Sequence, residues 1–225
     1  MAVGMRIYRS IVRPPIEDIE AFRALPTANI ADTMGRISAM DHGLRPYNSV
    51  PLLGCAFTVK VPCGDNLMLH KAIELAQKGD VIVVNGFGCL ERALCGALMM
   101  ETARQKGIRG FIIDGCIRDC EDVAKYDNFS CYARGVQPNG PYKNGPGEIN
   151  VPIAVGGQVV TPGDIIVGDQ DGVVVISPAD AKVVSDASRK ILEMETKKQA
   201  DYAQGIVNRE WLYKALADKQ CEEIL

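Results

Sequence analysis

An arginine and an aspartate stand side by side at Arg118-Asp119, inside the stretch Ile113-Asp-Gly-Cys-Ile-Arg-Asp-Cys-Glu-Asp122 and shortly after the apolar run Gly110-Phe-Ile-Ile113. An arginine fork binds carboxylates bidentately. An aspartate at a strand end can hold Mg2+ or Mn2+ while water and substrate oxygens complete the shell. Together the two could clamp and polarise a 2-oxo acid. Neighbouring side chains of an extended segment point to opposite faces, so a simple mutual salt bridge is not expected. The plainer reading is an exposed turn whose arginine pairs with a neighbour. Position favours chemistry: Gly96 lies 22 residues before Arg118, with one expected helix and one expected strand between them, so both should open at the same end of adjacent elements.

Two glycine-bearing turns, Pro62-Cys-Gly-Asp-Asn66 and Cys95-Gly-Ala-Leu-Met99, strengthen that reading. Each leads into a helix whose first N–H groups lack partners and attract a carboxylate or phosphate. Either alone also reads as an ordinary turn where glycine permits tight packing. Asp65 and Asn66 are placed near the ligand. His70, one turn into the first of these helices, suits a general base by residue type and suits a structural donor equally well. Tyr142 and Lys143 lie in a Pro/Gly loop and are candidates for gating the site or meeting a distal carboxylate. A Schiff-base route needs a desolvated lysine; Lys60 falls on an expected strand, and Lys71 and Lys78 on solvated helix faces, which disfavours it. Neither a Walker loop nor a Gly-x-Gly-x-x-Gly turn follows the run at 81–84, so a nucleotide reading lacks its markers.

The elements that must position these residues follow from pattern. Residues 16–25 read as a short helix and 27–35 as a second, ended by Gly35. Residues 54–61 alternate like a strand, and Asp65 or Asn66 then caps a helix with an apolar face of Leu67, Leu69, Ala72, Ile73 and Ala76. Residues 81–84 are a buried strand by length and β-branching. After the glycine-rich Asn85-Gly-Phe-Gly88 the unit repeats, with a helix over 93–106 and a strand over 110–113. A short helix near 120–125 and a strand near 130–134 come next. Strands alternating with helices predict a layered α/β core with parallel pairs. From Asn139 a Pro/Gly loop leads into short strands over 151–155, 158–160, 164–167 and 172–176. From Ser177-Pro178 the chain turns helical and charged, and the tail over 178–225 is expected to pack on the body or on a neighbouring subunit.

Composition bounds the partners. The 225 residues suit one domain, and 47% apolar residues fill a sizeable core. A net charge of −3 gives no footprint for nucleic acid or an anionic membrane. The amino terminus lacks the apolar core of about 7–15 residues that a signal peptide needs, and no run reaches the roughly 18 that cross a bilayer. A cytoplasmic protein without nucleic-acid or membrane partners is expected. Eight cysteines without a Cys-x-x-Cys pair, and only two histidines, argue against structural zinc. They are expected to be reduced thiols, with Cys116 and Cys120 flanking the Arg118-Asp119 pair.

Gly96, Arg118-Asp119 and Asp122, together with Gly64-Asp65-Asn66, Thr33-Met-Gly-Arg36, Met40-Asp41 and Gly168-Asp-Gln-Asp-Gly-Val173, resemble the signature of a known family. It comprises the 4-hydroxy-4-methyl-2-oxoglutarate / 4-carboxy-4-hydroxy-2-oxoadipate aldolases and the RraA-like proteins, named for an inhibitor of ribonuclease E. The resemblance covers residues 25–200. It implies a single RraA-like domain over 1–225 in a three-layer β/β/α swivelling-domain fold with a C-terminal helical tail. It further implies a homotrimer or homohexamer with active sites between subunits. By the same resemblance Asp119 holds a divalent metal, Mg2+ or Mn2+, and Arg118 meets the substrate near the developing oxyanion. Backbone amides of Gly96, Ala97, Leu98 and Met99 hold the pyruvyl carboxylate, and a glutamate of a neighbour's C-terminal helix, Glu193 or Glu195, joins the site. Ala97 departs from the family, which usually carries an acidic or amide side chain there; backbone binding survives that change. The implied activity is metal-dependent cleavage of a 4-hydroxy-2-oxo acid to pyruvate and a 2-oxo acid, with oxaloacetate decarboxylation through the same pyruvate enolate. The competing implication is a non-catalytic regulator that binds ribonuclease E or another protein; the intact Arg118, Asp119 and Asp122 favour catalysis.

Overall fold

A computed structural model describes residues 3–224. Its strands are β1 (Met5–Ile7), β2 (Arg45–Pro46), β3 (Leu52–Lys60), β4 (Asp80–Cys95), β5 (Gly110–Ile117), β6 (Ser130–Val136), β7 (Gly147–Ile149), β8 (Ile153–Val155), β9 (Gln158–Val160), β10 (Ile165–Asp169) and β11 (Gly172–Ile176). Its α-helices are α1 (Ile16–Glu20), α2 (Thr27–Thr33), α3 (Leu67–Leu75), α4 (Ala97–Gln105), α5 (Cys120–Val123), α6 (Ala181–Ala203) and α7 (Glu210–Asp218).

The β-branched runs at 81–84 and 110–113 are apolar on both faces, so each strand needs a cover above and below. They lie at the centre of a sheet ordered β1-β7-β3-β4-β5-β6-β2, in which β3, β4, β5 and β6 run parallel. On one face Phe57, Val84, Phe111 and Ile113 pack with Leu69 of α3 and with Met100 and Ala103 of α4. On the other, Ala56, Val81, Val83 and Ile112 meet Ile153, Val155 and Val160 of the β8–β9 hairpin and Val175 of β11. The result is the expected β/β/α layering. A third apolar cluster joins α1, α2 and α6 to β10 and β11 through Ile19, Ile30, Ile165, Ile176 and Val184.

Several boundaries move for identifiable reasons. The glycine-rich segment after Val84 does not end its strand: β4 continues to Cys95 through register shifts against β5, so α4 starts at Ala97 and not at 93. Extra residues absorbed as bulges keep a strand paired while redirecting its end. Within the expected loop over 139–147 the last residue already belongs to β7, which pairs with β1 and β3. The tail divides. The first half of α6 packs on its own chain, with Ser188 Oγ 2.7 Å from Thr33 Oγ1 of α2, whereas α7 buries none of its residues and leaves Trp211 and Tyr213 exposed. Cys63 and Cys89 form a disulfide, correcting the expectation that all thiols are reduced. It links the turn after β3 to the bulged part of β4.

The amino-terminal arm is fastened to the sheet by charge. Asp80 opens β4 with its side chain only 1% exposed; it accepts from Arg13 Nε at 2.8 Å and Nη2 at 2.7 Å and from the Gln77 amide at 2.7 Å. Removing one partner of a buried pair strands the other charge. Arg13→Ala should therefore destabilise the protein by about 3 kcal/mol in urea denaturation, whereas truncating the exposed Arg36 that pairs with Asp32 should leave the transition in place.

Candidate active site

The site forms where β5 stops. Arg118 follows the last residue of that strand, and Asp119 adopts φ 61° and ψ 38°, the left-handed region that aspartate tolerates better than most residues. This turn removes Asp119 from the extended path on which it would face away from Arg118. The two side chains instead share one side, with Arg118 Nε 3.7 Å from Asp119 Oδ2, which corrects the expectation of opposite faces. The separation exceeds a hydrogen bond, so the guanidinium keeps its donors for something else.

Asp119 Oδ2 accepts from the backbone N–H of Ala97 at 3.1 Å, at the first turn of α4. A carboxylate here satisfies an orphan donor and lies at the positive end of the helix. Gly96 is required by proximity: a Cβ at that position would overlap Asp119 Oδ2 and approach Arg118 Cγ at 2.9 Å and Nε at 3.1 Å. The last strand of bulged β4 thus delivers a backbone, with no side chain, against the Arg118-Asp119 pair.

A cleft of about 230 Å³ opens at this junction. Of the expected site residues, Asn66, His70, Gly96, Leu98, Met99, Arg118 and Asp119 line it, and Ala97 contributes its amide to Asp119 at the edge. Others lie elsewhere. Asp65 is buried and turned to backbone, with Oδ1 accepting from Leu67 N at 3.0 Å and Oδ2 from Asn144 N at 2.6 Å and Gly145 N at 3.0 Å. Asp122 lies outside the cleft and pairs with Lys125 at 2.7 Å. Glu195 accepts from Asn29 Nδ2 of α2 at 2.6 Å, Glu193 is exposed, and neither lines the cleft of its own chain.

Pro141, Lys143 and Cys95 complete the lining. Lys143 was readable as a cation in a Pro/Gly loop, but nothing in the spacing told that β-bridging of Tyr142 to Asp65 would fold that loop over the cleft. Asn66 is buried; its Nδ2 donates to Leu94 O at 2.8 Å, and its Oδ1 has no partner among the described residues.

Charge in the cleft is biased toward anions. Arg118 and Lys143 face Asp119, and burial, reinforced by the charge of Lys143, pushes the His70 ring below its ordinary range and favours its neutral form. Burial holds the Cys95 thiol well above its ordinary value, so it is not a thiolate nucleophile near neutrality. Lys143 is solvent-exposed, unlike the desolvated lysine of a Schiff-base enzyme. Among the described residues no group of three or more His, Cys, Asp or Glu side chains could hold a metal. Asp119 alone presents a carboxylate in the cleft. Mg2+ commonly takes one or two carboxylates and fills its remaining positions with water and substrate oxygens, so this donor set fits an ion that arrives with a chelating ligand.

A family model described as RraA-like, Aldolase/RraA, matches residues 27–175. A protein of Halalkalibacterium halodurans named "Putative 4-hydroxy-4-methyl-2-oxoglutarate aldolase" is 40% identical over 187 residues, 83% of this chain and 85% of its own length. The structure of an uncharacterized protein from Pseudomonas syringae pv. tomato str. DC3000 matches with a TM-score of 0.77 at 24% identity, covering 87% of this chain and 92% of that one; this likeness speaks for the fold alone. The structure of the RNA-processing inhibitor RraA from Thermus thermophilis matches with a TM-score of 0.62 at 28% identity, covering 67% of this chain and 92% of that one. No helix among the described residues is long and apolar enough to cross a membrane.

Two measurements probe this geometry. Gly96→Ala should displace the Asp119 carboxylate and change the affinity for a small carboxylate probe, acetate, about tenfold in calorimetry, roughly the value of one charged hydrogen bond, without unfolding the protein. In proton NMR the His70 ring should titrate below the usual histidine range, and Lys143→Met should raise it partway, because the burial that contributes most remains. An unmoved His70 titration in that variant would separate Lys143 from the cleft.

Proposed function

This chain belongs to the RraA-like, Aldolase/RraA family, and on that premise we propose that it is a divalent-metal-dependent lyase acting on small 2-oxo acids. The proposed reaction cleaves a 4-hydroxy-2-oxo acid, such as 4-hydroxy-4-methyl-2-oxoglutarate or 4-carboxy-4-hydroxy-2-oxoadipate, to pyruvate and a second 2-oxo acid, with oxaloacetate decarboxylation as a side activity. The observation that carries this reading is the convergence of Arg118, Asp119 and the Gly96 end of α4 on one anion-favouring cleft.

The roles follow from position. The Leu98 amide at the start of α4 and the guanidinium of Arg118 receive the pyruvyl carboxylate and 2-oxo group, the Ala97 amide being given to Asp119 and the Met99 amide to Gly96 O. Asp119 is the residue that would hold Mg2+ or Mn2+, which supplies a Lewis acid beside the 2-oxo group when bound. As the C3–C4 bond breaks, its electron pair moves toward C2 and negative charge grows on the C2 oxygen, within reach of Arg118. The proton of the 4-hydroxyl leaves as C4 becomes a carbonyl, and neutral His70 is the acceptor in the cleft. Protonation at C3 then yields pyruvate. Lys143 faces a distal carboxylate of the substrate. Glu193 and Glu195 stand away from their own cleft, so either would enter a site only from a neighbouring subunit of a trimer or hexamer, the assembly proposed here.

The likeness to the Thermus RNA-processing inhibitor favours a second reading, a regulator that binds a protein such as ribonuclease E without turnover. Pyruvate release coupled to lactate dehydrogenase separates the two. With 4-hydroxy-4-methyl-2-oxoglutarate and with oxaloacetate, turnover should vanish in EDTA and return with MgCl2. Arg118→Ala should lower kcat by about 10²–10³, as for loss of a preorganised donor at a developing oxyanion. No turnover of any 2-oxo acid, together with stoichiometric capture of a ribonuclease, would reverse the ranking.

A further inference from the structure

We propose that Arg92 is a positioning residue that clamps residues 139–145 as a strap over the cleft and so sets where Lys143 stands. The inference rests on the lyase reading for its kinetic consequence and on geometry alone for the clamp.

The strap is tied on its inner side to the turn after β3. Tyr142 N donates to Gly64 O at 2.7 Å, Asn66 N donates to Tyr142 O at 3.0 Å, and Asp65 Oδ2 accepts from Asn144 N and Gly145 N. Its outer side is held by Arg92, which projects from the bulged part of β4. Arg92 Nη1 donates to Gly140 O at 3.0 Å, Nη2 donates to Tyr142 Oη at 2.9 Å, and the guanidinium lies 4.3 Å from the Tyr142 ring centroid. The stem of Arg92 also rests on Gly64, where an added Cβ would meet Arg92 Cδ at 2.8 Å.

One side chain therefore touches both the turn that carries Asn66 and the strap that carries Pro141 and Lys143, three residues of the cleft wall. Tyr142 and Lys143 are exposed, so apolar burial contributes little to holding this part of the strap. A planar fork that bonds a carbonyl and a phenol while stacking on the same ring restricts the strap in two directions, which a lysine cannot reproduce. Arg92 does not line the cleft. Its action passes through the strap, and a mobile strap would charge the ordering of Lys143 to substrate binding.

The test is a double-mutant cycle with an independent structural readout, made on the full chain. Arg92→Ala should raise KM for oxaloacetate about tenfold, the value of a lost charged hydrogen bond, with kcat nearly unchanged. Arg92→Lys should recover only part of that loss. In a Lys143→Ala background Arg92→Ala should add almost nothing, because residues acting through one contact are not additive. Hydrogen exchange of the peptide covering 139–145 should accelerate about tenfold in Arg92→Ala, with the sheet unchanged. Tyr142→Phe, which removes one acceptor and keeps the ring, serves if Arg92→Ala does not fold and should shift exchange in the same direction. Additive kinetic losses, or exchange that is unchanged or accelerated evenly across the chain, would overturn the clamp. If the wild-type protein turns over no 2-oxo acid, the lyase reading fails while the exchange result still decides the clamp.

Discussion

The bond from the Ala97 amide to the Asp119 carboxylate couples two elements that sheet pairing alone leaves independent, the end of β5 and the start of α4. Its cost is conformational: a non-glycine residue in the left-handed region is disfavoured by about 1–3 kcal/mol. An exposed hydrogen bond of this kind, screened by water, contributes about 0.5–1.5 kcal/mol, and a carboxylate at a helix amino terminus adds about 0.3–1 kcal/mol. The two sides nearly cancel. The turn at Asp119 therefore persists only while α4 begins where it does, and that start depends on Gly96 letting the backbone approach. Arg118, joined to both by the chain, inherits its place from this balance.

Where α4 begins is set by β4. Its sixteen residues keep company with β5 through three register shifts, and each shift moves the strand end relative to Arg118. The parallel core was legible because the runs at 81–84 and 110–113 are short, apolar and β-branched, which only a strand covered on both faces explains. The bulged extension was not. Asn85-Gly-Phe-Gly88 carries the punctuation of a turn, and sequence pattern cannot tell a strand that ends at glycine from one that bends there. The Cys63–Cys89 disulfide and the Arg92 contacts both fasten this extension to the turn after β3, and neither partner pair has a local spacing that announces it.

The same distinction separates the readable part of the site from the rest. Gly96, Arg118 and Asp119 were visible because a charge pair at a strand end and a glycine at a helix start are local features. Asp65 and Asn66 are adjacent, yet one faces the cleft and the other faces backbone; which of the two does so depends on Asn144 and Gly145, far along the chain. Asp122 sits at i+3 from Asp119, but in a short helix its carboxylate finds Lys125 on its own exposed face. The glutamates of α6 illustrate a further limit. Two residues apart on a helix, Glu193 and Glu195 point to different sides, and the contact of Glu195 with Asn29 is made only because α6 packs across α2.

Charge in the cleft also bears on how a lyase of this design would release its products. Arg118 and Lys143 outnumber Asp119, and His70 is held toward neutrality by burial and by that same lysine. On the proposed reaction a substrate with two carboxylates engages both cations at once. Cleavage between C3 and C4 divides those carboxylates between two products, so neither product can span the pair. Each keeps one cation and loses the advantage of simultaneous engagement, in which the second contact is made at high effective concentration. The separation between Arg118 and Lys143 thereby favours the intact substrate over either fragment. That separation is a property of the strap, since Arg118 is fixed through β5 and α4 while Lys143 stands on the segment that folds back over them.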